Sequence, residues 1–410
     1  MDTLYPRCAG FDVHKNNVVV CARCCDGPGP AREEIRTFST MTASLLDLAD
    51  WLAGLGVTHV AMESTGVYWK PVFHLLEGRC TVILVNARDI KQVPGRKTDV
   101  KDCQWIAQLL QHGLLKASFV PPEPIRELRD LTRQRTQLIG ERASAANRIQ
   151  KVLEDANIKL AGVASDVLGV SGRDMLEALI VGETDAEKLA ELARKRLREK
   201  IPQLRLALQG RVTEHHRFLL RLHLDHITQM EELIGRLSRR IEEALAPFAP
   251  AVERLQTIPG ISQRVAETVV AEVGPGAETF PTSNHLASWA GMCPGNDESA
   301  GKRRSGRTTK GNRWLKRILV QAAWAASHSK GTYLQAHYHR LAKRRGRKKA
   351  LVALGHTLLV IIYHVLKRGT TYTELGGDFL DRLEPERLTR QLVKRLEKLG
   401  HKVSLEPVPA

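Results

Sequence analysis

The sequence predicts an α/β domain at the amino end followed by a long, mainly helical region. Strand-like and helix-like signals alternate over residues 7–122. Apolar residues then recur at helical spacing for over a hundred residues. Residues 299–373 hold eighteen Lys and Arg and no Asp or Glu.

In the first domain (1–122), residues 9–13, 18–24 and 34–39 have the composition of three strands. A helix follows over 43–55, with Leu45, Leu46, Leu48, Trp51 and Leu52 apolar. Residues 58–62 form a short strand that ends at Glu63. Residues 67–76 read as a helix, 81–85 (Thr-Val-Ile-Leu-Val) as a buried strand and 98–115 as a closing helix. Three strands, helix, strand, helix, strand, helix is the order of a ribonuclease-H-like fold. In that fold the first strand and a later one carry acids to one end of the sheet.

Four acids fall where such a site needs them. Asp12 lies in Gly10-Phe11-Asp12-Val13-His14-Lys15, and Glu63 in Met62-Glu63-Ser64-Thr65-Gly66. Asp99 and Asp102 are three apart in the closing helix, a spacing that puts both on one face. Singly, each Asp is equally a turn or cap residue. Together they suit Mg²⁺ (or Mn²⁺), which takes oxygen ligands from a few carboxylates and phosphates. Two such ions roughly 3.5–4 Å apart clamp the attacking and leaving oxygens of a phosphoryl transfer.

Pro121-Pro122-Glu123-Pro124 marks a boundary, since prolines interrupt regular structure. In the spacer (123–250), one run uses Ile125, Leu128, Leu131, Leu138, Ala145, Ile149 and Val152. A second uses Leu204, Leu208, Val212, Leu219, Leu222, His226, Leu233, Leu237, Ile241 and Leu245. The pattern predicts an antiparallel coiled-coil pair or elongated bundle, with short helices at its far tip over 161–185. Such a seam can also join two subunits.

The third part (251–370) opens on Thr257-Ile258-Pro259-Gly260-Ile261. This is either the phosphate-holding turn of a helix-hairpin-helix element or an ordinary helical turn. Residues 299–307 read as a loop between helices over 285–290 and 313–328. The chain carries 62 Lys and Arg against 45 Asp and Glu, a net charge of +17. Eighteen cations in the acid-free span exceed that whole excess, so the rest of the chain is close to neutral. A polyanion such as nucleic acid is the partner this implies, through Lys302, Arg303, Arg304, Arg307, Lys310 and Arg313. Ser299, in that loop and close to a glycine, is either a turn residue or a nucleophile. Residues 371–410 read as a charged helical tail, an RNA-contacting element or a cap.

Seven cysteines, an odd number, give no disulfide framework in a chain of 410 residues. Cys21, Cys24 and Cys25 lack further ligands at zinc spacing and read as reduced thiols. The apolar stretch 350–366 is interrupted by Gly355, His356 and His364 and reads as a buried helix rather than a membrane span. With no signal peptide in the opening residues, the expectation is a soluble, cytoplasmic protein.

These residues together resemble the DEDD transposases of the insertion-sequence one-hundred-ten family, the bridge-RNA-guided recombinases. The matching pieces are Gly-Phe-Asp12-Val-His-Lys, Met-Glu63-Ser-Thr-Gly-Val-Tyr68-Trp69, Lys97-Thr-Asp99-Val-Lys-Asp102 and Thr257-Ile-Pro-Gly-Ile. Leu286-Ala-Ser-Trp-Ala-Gly291-Met-Cys-Pro294, Ser299-Ala-Gly-Lys302 and Thr309-Lys-Gly-Asn-Arg313 complete the set. The resemblance implies a RuvC-like domain whose Asp12, Glu63, Asp99 and Asp102 hold Mg²⁺, a coiled-coil spacer, and a transposase domain with a serine nucleophile. It implies a covalent phosphoserine link to DNA and a structured guide RNA pairing with donor and target DNA. It also implies an active site shared between subunits of a dimer or tetramer. The nucleophile carries over to Ser299. The sequence has Glu298-Ser299-Ala300-Gly301 where the family commonly has two serines before Gly-Gly, which leaves Ser305 as the alternative. Two other functions fit the residues without that resemblance: a Holliday-junction-type metal nuclease that dispenses with Ser299, and a non-catalytic nucleic-acid scaffold.

Overall fold

The computed structural model describes residues 3–25, 27, 29–64, 66–87, 90, 102–294, 297–383 and 385–406. At 297–299, 303, 304 and 387 it describes the backbone alone. The chain forms two compact units, Met1–Pro121 and Pro122–Ala410.

The first unit is built on a five-stranded sheet of order β3-β2-β1-β4-β5. Its strands are β1 (Arg7–Val13), β2 (Asn17–Cys24), β3 (Arg32–Ser39), β4 (His59–Glu63) and β5 (Thr81–Val85). The first three form an antiparallel meander, while β4 and β5 run parallel to β1. Helices α1 (Thr42–Gly54) and α2 (Trp69–Leu76) make the crossovers. This is the element order expected of a ribonuclease-H-like domain.

Alternation along the strands sorts the two faces. Ala9, Phe11, Val60 and Met62 pack against Leu45, Leu48 and Leu52 of α1 and Val72 and Leu76 of α2. Cys8, Ala61 and Val85 point the other way, onto Trp105, Ile106, Leu109 and Leu110 of α3 (Asp102–Gln111). Gly10 is on this second face and has no room for a side chain. A Cβ there would overlap the backbone nitrogen of Ala107 and the carbonyl oxygen of Cys103. The helix therefore rests directly on the strand.

The second unit begins with two long helices, α4 (Glu123–Asp155) and α5 (Glu214–Leu245). They are antiparallel: His216 Nε2 lies 2.8 Å from Asp155 Oδ2, and Arg142 pairs with Glu231 at 2.7 Å further along. The expectation of one helical run over 204–245 is corrected. Residues Ile201–Ala207 form a separate short helix, and the chain breaks before α5. Two local causes are visible. Gly210 presses against the Ala156 carbonyl, and Thr213 caps α5 by accepting from the His216 amide while its own amide donates to His216 Nδ1. The break resets the helical phase. The seam consists of Leu220, Leu224, Ile227, Met230, Ile234, Ile241 and Leu245, whereas Leu222 and Leu233 are 51% and 42% exposed. Leu204 and Leu208 instead join the tip core with Ile149, Leu153, Leu160, Met175 and Leu179. Short helices Leu160–Val163 and Val170–Val181 lie at that tip, where short helices were expected, and Ala186–Glu191 adds a third beyond the expected span.

Helices α6 (Ala249–Gln256), α7 (Gln263–Val273), α8 (Ser283–Trp289), α9 (Arg313–Ala326), α10 (Tyr333–Arg345) and α11 (Arg347–Arg368) form the rest of this unit. Two further helices follow, Phe379–Leu383 and Pro385–Lys398. The Pro259-Gly260 turn packs on α9: Gly260 has φ +87°, and a Cβ would stand 2.6 Å from the Ala322 carbonyl oxygen. Helix α11 is long and apolar enough to span a bilayer by length and composition, yet half of it is buried in the fold. It behaves as a core helix, with Leu354, Leu358, Leu359 and Ile362 fully enclosed.

Two outcomes are expected of the first unit. Gly10→Ala should cost about 1–3 kcal/mol in urea unfolding, because the helix backbone must move. Burial pushes the Cys8 and Cys21 thiols up to about 12. Both should therefore stay unlabelled by iodoacetamide near neutral pH until denaturant is added, as peptide mapping would show.

Candidate active site

The face of the sheet under α3 gathers acids at one end. Asp12 follows Gly10 by two residues and so shares its face. Its carboxylate is partly exposed, and Oδ2 lies 3.2 Å from His14 Nε2. The parallel register of β1 on β4 pairs Phe11 with Met62, so Glu63 ends the neighbouring strand beside Asp12. Glu63 shares its face with Ala61, again the α3 side. Asp102 is the first residue of α3 and is exposed. The next residue, Cys103, packs with Cys21 and Val19, and Val19 is the cross-strand partner of Asp12. Sheet register and the Gly10 contact thus bring Asp12, Glu63 and the start of α3 to the same end of one face. Asp99 lies outside the described residues. Among the described residues, no group of three or more His, Cys, Asp or Glu side chains is drawn together closely enough to hold a metal ion. Oxygen donors at adjacent strand ends are nevertheless the donor type a hard cation takes.

In the second unit, the segment expected to be a loop is a two-stranded hairpin. Strand β6 (Asp297–Ser299) pairs with β7 (Lys302–Ser305), with Ser299 opposite Lys302. The turn is Ala300-Gly301, at φ 51° and 73°. Two consecutive positive φ values define the tight turn whose twist suits an antiparallel pair, and this closes the segment into strands. Ser299 is thereby fixed at the last strand position before the tip. Ser305 stands at the other end of β7, where its Oγ accepts from the Arg307 amide at 3.2 Å. Lys302, Arg307, Lys310 and Arg313 are exposed, and the Arg313 guanidinium lies 4.8 Å from the Trp314 ring centre. The side chains of Ser299, Arg303 and Arg304 lie outside the described residues.

Glycines hold the hairpin base. Gly291, at φ +69°, would place a Cβ 2.7 Å from the Gly311 nitrogen, so the segments before β6 and after β7 meet backbone to backbone. Pro294 and Thr308 add a bridge between the same two segments. Residues 9–158 match a transposase model of the DEDD, IS110 type, and residues 252–339 match that of the transposase IS116/IS110/IS902 family. The chain belongs to the IS110 family of transposases.

Curated relatives bear related names. This IS110-family chain is 24% identical over 334 residues to the transposase for insertion sequence element IS1111A of Coxiella burnetii, covering 78% of this chain and 81% of the relative. It is 30% identical over 131 residues to the insertion element IS110 uncharacterized 43.6 kDa protein of Streptomyces coelicolor, about a third of each chain at 32%. Similarity to the pilin gene-inverting protein of Moraxella bovis is 26% over 151 residues, covering 36% of this chain and 45% of the relative. DNA recombination is the activity of the family.

Sequence reasoning missed the polar centre of this transposase's second unit. Glu272, on α7, is fully buried, and its carboxylate accepts two hydrogen bonds from Arg133 of α4, at 2.7 and 2.8 Å. Asn312 Nδ2 donates to Glu272 at 2.6 Å, while Asn312 Oδ1 caps α9 by accepting from the Trp314 and Leu315 amides. Arg129 donates to the Ala271 and Glu272 carbonyls at the end of α7. Burial lowers the Arg129 pKa to about 10, opposed by Glu272, so it stays charged at neutral pH. Arg135 pairs with Glu267 at 2.5 Å, both nearly buried. The available signal was a pair of acids in the apolar helix Val-Ala-Glu267-Thr-Val-Val-Ala-Glu272-Val, facing a cluster of arginines in α4. Glu272→Ala should cost about 3–5 kcal/mol in chemical unfolding, because it strands Arg133 and Asn312 without a partner.

Proposed function

We propose that this chain is an RNA-guided DNA transposase that exchanges strands through a covalent serine–DNA intermediate. The observation that carries the reading is the placement of Asp12 and Glu63 at the ends of adjacent parallel strands, on one sheet face, beside the start of the helix that Asp102 opens. The site would be completed by Asp99, and these four carboxylates would hold Mg²⁺ or Mn²⁺. When bound, such an ion supplies Lewis-acid stabilisation of a phosphoryl oxygen. Ser299, held at the hairpin tip, attacks the scissile phosphorus through Oγ. The phosphorus–oxygen bond to the 3′ or 5′ nucleoside breaks, and the leaving oxygen takes up the proton that the Ser299 hydroxyl gives up. Lys302, Arg303, Arg304, Arg307, Lys310 and Arg313 hold the flanking phosphates. Release of Ser299 by attack of the incoming strand's hydroxyl restores the diester without hydrolysis.

The division of labour follows the chain: a DEDD domain over 1–122, a coiled-coil spacer over 123–250, a transposase domain over 251–370 and a tail over 371–410. Donor DNA, target DNA and a structured guide RNA are the partners, and the spacer joins chains in a dimer or tetramer in the cytoplasm. The family's DNA recombination and the pilin gene-inverting relatives support the reaction class.

Asp12→Ala and Ser299→Ala should each abolish strand exchange in a reconstituted reaction while leaving gel-shift affinity for DNA within about twofold. Ser299→Ala should also remove the protein–DNA adduct that survives boiling in detergent. An adduct persisting in Ser299→Ala and lost in Ser305→Ala would move the nucleophile to Ser305. Cleavage without any adduct would favour a hydrolytic junction nuclease.

A further inference from the structure

A cleft of about 1110 Å³ opens between the base of the serine hairpin and the corner where α10 turns into α11. Arg307 stands on the hairpin wall, and Arg345, Lys348 and Lys349 form the opposite rim. Gly346, at φ +81°, makes the corner and puts the last residue of α10 on the same rim as the first turn of α11. All four cations are exposed, and no acid is among the described residues lining the cleft. Lys348 and Lys349 also sit at the helix end where the backbone dipole is positive, which costs about 0.3–1 kcal/mol each. Helix stability therefore does not explain them, whereas an anionic occupant would.

We propose that this cleft seats the phosphodiester backbone of the DNA strand to be cut, with Arg345, Lys348 and Lys349 as its positioning residues. The proposal rests on the DNA-recombinase reading above. The floor chemistry selects backbone over bases: Met292, Leu341 and Val352 offer no aromatic ring on which an unpaired base would stack. The occupant is DNA rather than guide RNA because the strand that Ser299 is proposed to attack is DNA, and the cleft lies along the same hairpin. Ser305 borders the cleft, and Lys302, opposite Ser299, lies three residues along β7. At roughly 3.3 Å per residue this is about 10 Å. A strand rising roughly 3.4 Å per nucleotide covers that in about three nucleotides. A strand whose scissile phosphate meets the hairpin tip therefore reaches the near edge of the cleft, at Ser305, about three nucleotides away, and the cations line the cleft it then enters.

The test compares the full-length protein with Lys348→Gln/Lys349→Gln, using a fluorescent duplex DNA and a fluorescent RNA hairpin over a salt series. For the DNA probe, the slope of log affinity against log salt should become shallower by about 2, at ~0.9 per lost phosphate contact. The RNA slope should be unchanged. Lys348→Arg/Lys349→Arg should restore the DNA slope, an outcome that a merely structural role would not give. An unchanged DNA slope overturns the proposal, and an equal or larger change with RNA assigns the cleft to RNA instead. Because the readout is binding, it is separate from the adduct assay on Ser299: loss of the adduct claim leaves this measurement interpretable, and the reverse also holds.

Discussion

The buried carboxylate of Glu272 is the constraint on which the second unit depends. A fully enclosed carboxylate is tolerated only when its oxygens are satisfied by charged or polar donors, and here two other elements supply them. Arg133 brings α4 to α7, and Asn312 brings the start of α9 to the same point. Asn312 follows Gly311, whose backbone touches Gly291, so the acid also fixes where the hairpin base lies. One ionic centre thus sets the register among the long helix pair, the core of the basic lobe and the hairpin that presents Ser299.

The first unit is organised by an absence of volume rather than by charge. With no side chain at Gly10, α3 lies on β1 at backbone distance, and the acid two residues on is carried to the end of that contact. The same strand alternation that buries Phe11 and Met62 on one face directs Asp12 and Glu63 to the other. Placement of these carboxylates is therefore a by-product of core packing, and each could not be shifted by one residue without exposing the apolar set.

Much of this was legible because the sheet is short and its alternation clean. The strands at 9–13, 58–62 and 81–85 and helix α1 fall where periodicity put them, since one face of each is apolar. The seam of α5 was not legible. Leu219, Leu222, His226, Leu233 and Leu237 form a second stripe at helical spacing, and only the reset at Gly210 and Thr213 decides which stripe is covered. The hairpin around Ser299 was hidden for a different reason. Its turn places an alanine, Ala300, in a conformation that glycine or asparagine usually occupies, so Gly301 alone does not distinguish a tight hairpin from a loop. Glu272 was missed because a helical acid is normally assigned to solvent, and its apolar neighbours on every side were the one sign in the sequence against that assignment. The helix that Asp102 opens falls within the span expected to be helical, whereas Asp99 lies outside the described residues.

The antiparallel course of α4 and α5 has a consequence for how such a chain can vary. A helix of 33 residues reaches about 50 Å, and its partner returns the polypeptide the same distance to nearly its point of departure. The knob at the far end shares one apolar core with the outer half of the stalk, Met175, Leu189, Leu204 and Leu208 clustering with Ala145, Leu224, Ile227 and Met230. Everything beyond the middle of the stalk is a detachable excursion. Its length, or the identity of the knob, can be exchanged by whole helical turns while the stalk's root and the lobe it feeds remain undisturbed.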